Sequence, residues 1–273
     1  MIRLLNIEWI KLKHYKAFWV LAAMYSVGVI LVCSGGMFLM EFLKDKGANF
    51  NGVDPTILPI YDFPDVWQNI AYVASFLKVI LAFIIIISIS NEATYRTLRQ
   101  NIIDGLSNRD FLASKLLLIF ALSIFTAVLL FLIGLGTGAA YSHVWGIKYI
   151  FQSTQFLLAY ALEVFTYLTF TLMIVLLIRK TGMVIVGLFM YTVMFEPLFA
   201  VFLENYPSTP EMIRSLVPFL PIKALNNLIH VPFQRYVFME IQDYVSLKET
   251  LIVTGWLVFN ISMSYLILKK KDL

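Results

Sequence analysis

The chain has 273 residues, 60% of them hydrophobic and 14% charged, where an ordinary soluble domain carries about 25% charged residues. A soluble core of this length cannot hide so much apolar surface, and a mean hydropathy of +0.82 points to a bilayer instead. The net charge of +4 is divided among separate loops, which leaves no basic stripe for nucleic acid, and the single cysteine, Cys33, lies in an apolar run, which excludes a disulfide framework and a cysteine metal site.

Residues 1–16 are predicted to form a helix lying on the membrane surface. Ile2, Leu5, Trp9 and Leu12 make an apolar stripe at helical spacing, with Lys13 and Lys16 placed to snorkel beside it. Leu4, Ile7 and Ile10 fall elsewhere on the wheel, so a plain extension of the first span is the alternative. Six apolar runs of the length that crosses about 30 Å of hydrocarbon follow. They cover approximately Ala17 to Met40, Trp67 to Ser90, Leu116 to Tyr141, Ser153 to Ile178, Met183 to Leu203 and Glu249 to Leu268. The first lacks a small-x-small cleavage site and is expected to be a retained span. The fold expected is therefore all-α, a single multi-pass transmembrane domain over residues 1–273.

Lys and Arg are unevenly shared between the two sides. With the N-terminus inside, the short inner segments hold Arg3, Lys11, Lys13, Lys16, Arg96, Arg99, Arg109, Lys115, Arg179, Lys180 and Lys269 to Lys271, while the longer outer segments hold fewer. Positive residues favour the cytoplasm, so both termini are expected there. Residues 91–115 form the second inner loop. Glu92 and Arg96 stand four apart in the favourable order for a helix, Arg99 continues that face, and Asp104-Gly105 ends it. Ser107 with Asp110 three residues on is a capping-box variant that starts another helix. The alternative to this rigid helix–turn–helix is an ordinary solvated loop. The outer segment 204–248 contains Pro207, Pro210, Pro218, Pro221 and Pro232 yet is too apolar for a solvated loop. It is expected to form short helices at, or dipping into, the outer surface.

Ionisable groups inside spans are costly and mark function by default. Lys78 and Glu163 lie at similar depth in the second and fourth spans, which both run from outside to inside, so they are expected either to pair or line a common polar cavity, or to be satisfied separately, Lys78 by snorkelling and Glu163 by Tyr160, Thr166 or Tyr167. Glu196-Pro197 marks an expected kink with the carboxylate facing protein. Together Lys78, Glu163 and Glu196 are candidates for an intramembrane polar pathway. Gly134 and Gly138 form a Gly-x-x-x-Gly pair suited to close packing within the chain.

Several chemistries are missing from the sequence. No Gly-x-x-x-x-Gly-Lys-[Ser/Thr] phosphate loop occurs. His14, His143 and His230 are scattered with no zinc-binding spacing, and no nucleophile–base–orienter set can be assembled.

The basic N-terminal helix, the six spans, the 91–115 segment with Gly105, Ser107, Arg109 and Lys115, and the lysine-rich tail resemble the permease subunits of type-2 ATP-binding-cassette exporters. The resemblance covers most of the chain. It implies that the loop between the second and third spans carries a coupling helix that docks on an ATPase, which assigns Glu92, Arg96, Arg99, Gly105, Ser107 and Arg109 to that contact. It further implies a multi-pass protein of the cell (inner) membrane that exports a substrate, without catalysis of its own. The partners implied are a separate ATPase subunit carrying ATP and magnesium, and a second permease in a homodimer or heterodimer; the chain itself holds no cofactor. The alternative from the residues alone is a secondary transporter or channel using Lys78, Glu163 and Glu196, which lacks support from an inverted repeat or paired broken helices. A membrane scaffold or immunity-type protein is a third class.

Overall fold

The computed structural model describes residues 2–46, 60–94, 107–144, 146–178, 180–232 and 244–270. In chain order the helices are α1 (Ile2–Lys13), α2 (Lys16–Asp45), α3 (Val66–Ser75), α4 (Lys78–Thr94), α5 (Asn108–Tyr141), α6 (Ile147–Phe151), α7 (Gln155–Ile178), α8 (Thr181–Met190), α9 (Glu196–Asn205), α10 (Glu211–Leu216), α11 (Pro221–Leu228) and α12 (Leu247–Lys270). No strand occurs among the described residues. Among the described residues five helical stretches are long and apolar enough to cross a membrane, and α3 with α4 makes a sixth if that bent pair is one span. Even α4, rich in β-branched isoleucine, is helical, because hydrocarbon offers no other partner for backbone polar groups.

The second span differs from the uninterrupted helix expected over Trp67 to Ser90. It breaks after Ser75 and resumes at Lys78, with a bend of 46°. Neither Pro nor Gly stands at the break, so no punctuation residue announces it; Lys78, the first residue of α4, reaches sideways to charged and polar partners described below. The fifth span also departs from regular helix. A π-helical turn, Tyr191–Phe195, precedes Glu196-Pro197, and the Glu196 N–H bonds to Tyr191 O. Pro197 brings no amide proton to the ladder, and the wider turn accommodates it.

The hub is α7, which packs against α3, α4, α5, α8, α11 and α12. Most residues of α7 are buried, whereas most described residues of α2 and α12 are not. Thr169 and Thr171 on α7 donate their hydroxyls to Thr166 O (2.8 Å) and Tyr167 O (3.0 Å), which satisfies them inside the helix. The Gly134–Gly138 pair lets α5 meet aromatic side chains: an added Cβ would lie 2.5 Å from the Trp67 ring at Gly134 and 2.3 Å from the Phe63 ring at Gly138.

At one end of the bundle α1 lies across α5 and α2. Its inward face carries Leu4, Glu8, Lys11 and Leu12, with Glu8 and Leu12 buried. The predicted stripe is thus divided. Leu12 packs inward, whereas Leu5 and Trp9 are exposed beside it, and Trp9 contacts Phe18 and Trp19 edge to face. At the other end, segment 204–248 supplies α10, the 3₁₀ turn Val217–Phe219 and α11; its residues 233–243 lie outside the described residues.

Candidate functional site

Two clusters of buried charge stand at different levels of the bundle. The first joins α1 to the helices that flank loop 91–115. Lys115, on the second turn of α5, is 1% exposed and donates to Glu8 Oε2 (2.6 Å), Glu92 Oε1 (2.7 Å) and Ser88 Oγ (3.2 Å). Lys11 donates to the same Glu92 oxygen at 3.0 Å and lies 3.6 Å from Glu8 Oε1, which also accepts from Ser114 Oγ at 3.3 Å. Two ammonium groups thus face two carboxylates contributed by three helices. Burial alone would lower the Lys11 pKa, but the charges of Glu92 and Glu8 outweigh it and hold the group above its ordinary value.

Helix α5 has 34 residues, about 51 Å at 1.5 Å per residue, longer than the ~30 Å of hydrocarbon requires. Its start is held by the capping box expected at Ser107. Ser107 Oγ accepts from Asp110 N (3.1 Å) while Asp110 Oδ2 accepts from Ser107 N (3.2 Å). Arg109 turns to α12, donating Nε–H to Tyr265 Oη at 3.3 Å with its guanidinium 5.8 Å from that ring. Of the residues assigned to the loop, Glu92 is buried and Ser107 and Arg109 brace α5; Arg96, Arg99 and Gly105 lie outside the described residues.

The second cluster sits at the break in the bent span. Lys78 and Glu163 form a buried ion pair between α4 and α7, with Lys78 3% and Glu163 1% exposed. Asn226 Oδ1 on α11 accepts from Lys78 Nζ at 3.3 Å, and the Tyr167 ring lies 5.6 Å from the ammonium. Of the two expectations for these groups, the structure contains the pair: Tyr160 bonds to Tyr25 Oη and Tyr167 to Thr192. Glu196 does different work. Its Oε1 accepts from the Ile222 and Lys223 amides at 2.6 and 2.8 Å, capping α11 from another helix. Eight residues on, Glu204 on α9 holds Lys223 Nζ at 2.9 Å. Glu196 therefore acts on the Lys78 pair at one remove, by fixing the helix that carries Asn226.

Sequence reasoning missed Glu8 and Asn226. Glu8 had a signal, since it stands between Leu4 and Leu12 on one helical face with Lys11 one turn away. Asn226 had none, because its role depends on the seating of α11. Among the described residues no group of His, Cys, Asp and Glu could hold a metal ion.

A helical bundle with, among the described residues, five or six helices of membrane length and buried ion pairs between helices is a multi-pass membrane protein. Residues 2–273 match the ABC-2 family transporter protein family, so the chain belongs to that family of transport components. A comparison with curated proteins finds no match.

Proposed function

We infer that this chain is the permease subunit of an exporter in the cell (inner) membrane, working as a homodimer or with a second permease, both termini cytoplasmic, and driven by a separate ATPase that holds ATP and magnesium. The observation that carries the reading is the Glu8–Lys11–Glu92–Lys115 cluster. It roots both arms of loop 91–115, the end of α4 and the start of α5, together with α1, at one buried point. A partner pushing on the loop moves three helices as one body, and α4 leads from there to Lys78. The chain's lack of a phosphate loop supports energy arriving from another polypeptide.

In this reading Arg96, Arg99 and Gly105 belong to the surface that meets the ATPase. Ser107 and Arg109 stiffen the second arm, and buried Glu92 is a positioning residue. Lys78, Glu163 and Glu196 form the polar pathway through the bundle. A secondary transporter is the second reading, favoured by one observation, the break in the bent span at Lys78; the family weighs against it.

Purification in mild detergent tests the inference. A Walker-motif ATPase with vanadate-sensitive activity is expected to co-purify, and the pair of substitutions Arg96→Glu and Arg99→Glu is expected to release it or uncouple it. Unchanged binding and coupling in that variant would refute the assignment of loop 91–115 to the ATPase contact. Ion-driven uptake by the chain alone would favour the second reading.

A further inference from the structure

A cleft of about 240 Å³ opens beside the buried ion pair, between the end of α3, helix α9 and helix α11. Its polar side is formed by Glu163, Lys223, Asn226 and Asn227, and its rim includes Phe76 and Val201, which are 66% and 53% exposed. That volume is somewhat below the ~300–1,000 Å³ of a pocket that swallows a drug-sized ligand, so it suits a head group with the remainder lying outside. Glu163 is 1% exposed, and only its Oε1 meets Lys78; Oε2 has no hydrogen-bond partner. Buried carboxylate oxygens are nearly always paired, so an orphan acceptor beside a cavity is a place for a donor.

Charge selects the donor. Lys78 is taken by Glu163, and Lys223 by Glu204. Glu196, which caps α11 behind Lys223, adds a further carboxylate. Both cations beside the cleft are thus neutralised, and the surplus charge is negative, which disfavours a phosphate or sulfate head and favours an ammonium.

We propose that the cleft binds the ammonium head of an amphipathic primary amine, with the Glu163 carboxylate as its counter-charge, Oε2 becoming its acceptor as the head displaces the side chains that close over it, and the apolar part lying over Phe76 and Val201. This deepens the transport reading, since it gives the polar pathway a class of cargo, and it rests on that reading only for the word cargo.

The test uses the full chain in lipid nanodiscs and an alkylamine carrying a photoreactive diazirine in its alkyl chain, with cross-links mapped by mass spectrometry. Labelling is expected at the cleft rim, displaced by dodecylamine and not by dodecyl sulfate. Glu163→Gln is expected to weaken displacement roughly tenfold, the scale of one charge-assisted hydrogen bond. Because that variant strands Lys78 and can unfold the chain, Val201→Trp is the second variant; it fills the rim, leaves the ion pair intact and is expected to abolish rim labelling. Equal labelling by a diazirine alkyl sulfate, or labelling spread over α2 and α5 and unaffected by Val201→Trp, would overturn the proposal. Binding requires no ATPase, so the two readings fail separately. A chain that binds the amine but recruits no ATPase keeps the site and loses the transporter; a chain that drives its ATPase but shows no rim labelling loses only the site.

Discussion

Replacing Lys115 with Met keeps the volume of the side chain and removes the charge that holds two carboxylates together. Both partners are buried, with the Glu8 side chain 1% and the Glu92 side chain 7% exposed, and Lys11, the other cation of the cluster among the described residues, is 34% exposed. Removing one member of a buried pair leaves an uncompensated charge and costs about 3–5 kcal/mol, whereas losing an exposed pair costs about 0–1 kcal/mol. At about 2–4 °C per kcal/mol for a large domain, Lys115→Met is expected to lower the melting temperature of the purified chain by roughly 6–20 °C. The cleaner measurement is a double-mutant cycle with Glu8→Gln. Once Lys115 is gone, neutralising Glu8 removes a repulsion, so the double variant should lose clearly less than the two single losses added together. Additive losses, or a single loss on the scale of an exposed pair, would show that the three helices are not joined there and would refute the rigid-body reasoning.

Lys11 contributes to the same cluster with a raised pKa, so its contribution is fully present below the unfolded value of 10.5 and is lost only as pH rises through the higher folded value. A melting profile should therefore show no loss from this group at neutral or mildly alkaline pH, and a Lys11→Met variant should be less stable than the parent there. Gly138→Ala drives a methyl into the Phe63 ring and is expected to cost about 1–3 kcal/mol, while Gly136→Ala, with nothing within 4 Å, should be neutral or slightly stabilising in the same melt. Glu196→Gln keeps an acceptor for the Ile222 and Lys223 amides but loses its charge, and Glu196→Ala loses both. The expected order of destabilisation is Ala above Gln, with about 0.5–2 kcal/mol for the lost cap, read by proteolysis of segment 204–248. Equal effects of the two variants would argue against capping.

The spans were legible because hydrocarbon permits one solution, an apolar helix of fixed minimum length, and the long apolar runs, with few charges inside them, are separated by segments rich in Lys and Arg. Ser107 and Asp110 were legible for a similar reason, since a capping box is local and its spacing is fixed by the helix itself. The break at Phe76 and Leu77 was not, as it lacks Pro and Gly and follows from partners distant in sequence. Lys78 reaches a carboxylate 85 residues away and an amide 148 residues away, distances along the chain that no window of periodicity spans. Glu8 shows the intermediate case. Its helical face is readable, but Ile2, Leu5, Trp9 and Leu12 make an apolar stripe at the same helical spacing, and nothing local to α1 ranks one face above the other. Glu196 was recognised as inward-facing, yet its partner is the N-terminus of α11, whose position depends on the tertiary fold.

The central claim is that loop 91–115 is where energy from a partner ATPase enters. In a Cys33→Ser background, a single cysteine is introduced at Asn101, within the loop, or at Thr209, between α9 and α10, and the complex is treated with a short bifunctional thiol–amine cross-linker. The account predicts a cross-link to the ATPase from position 101 that changes with bound nucleotide, and none from position 209. A cross-link from position 209, or none from 101 while the ATPase remains bound, would contradict it.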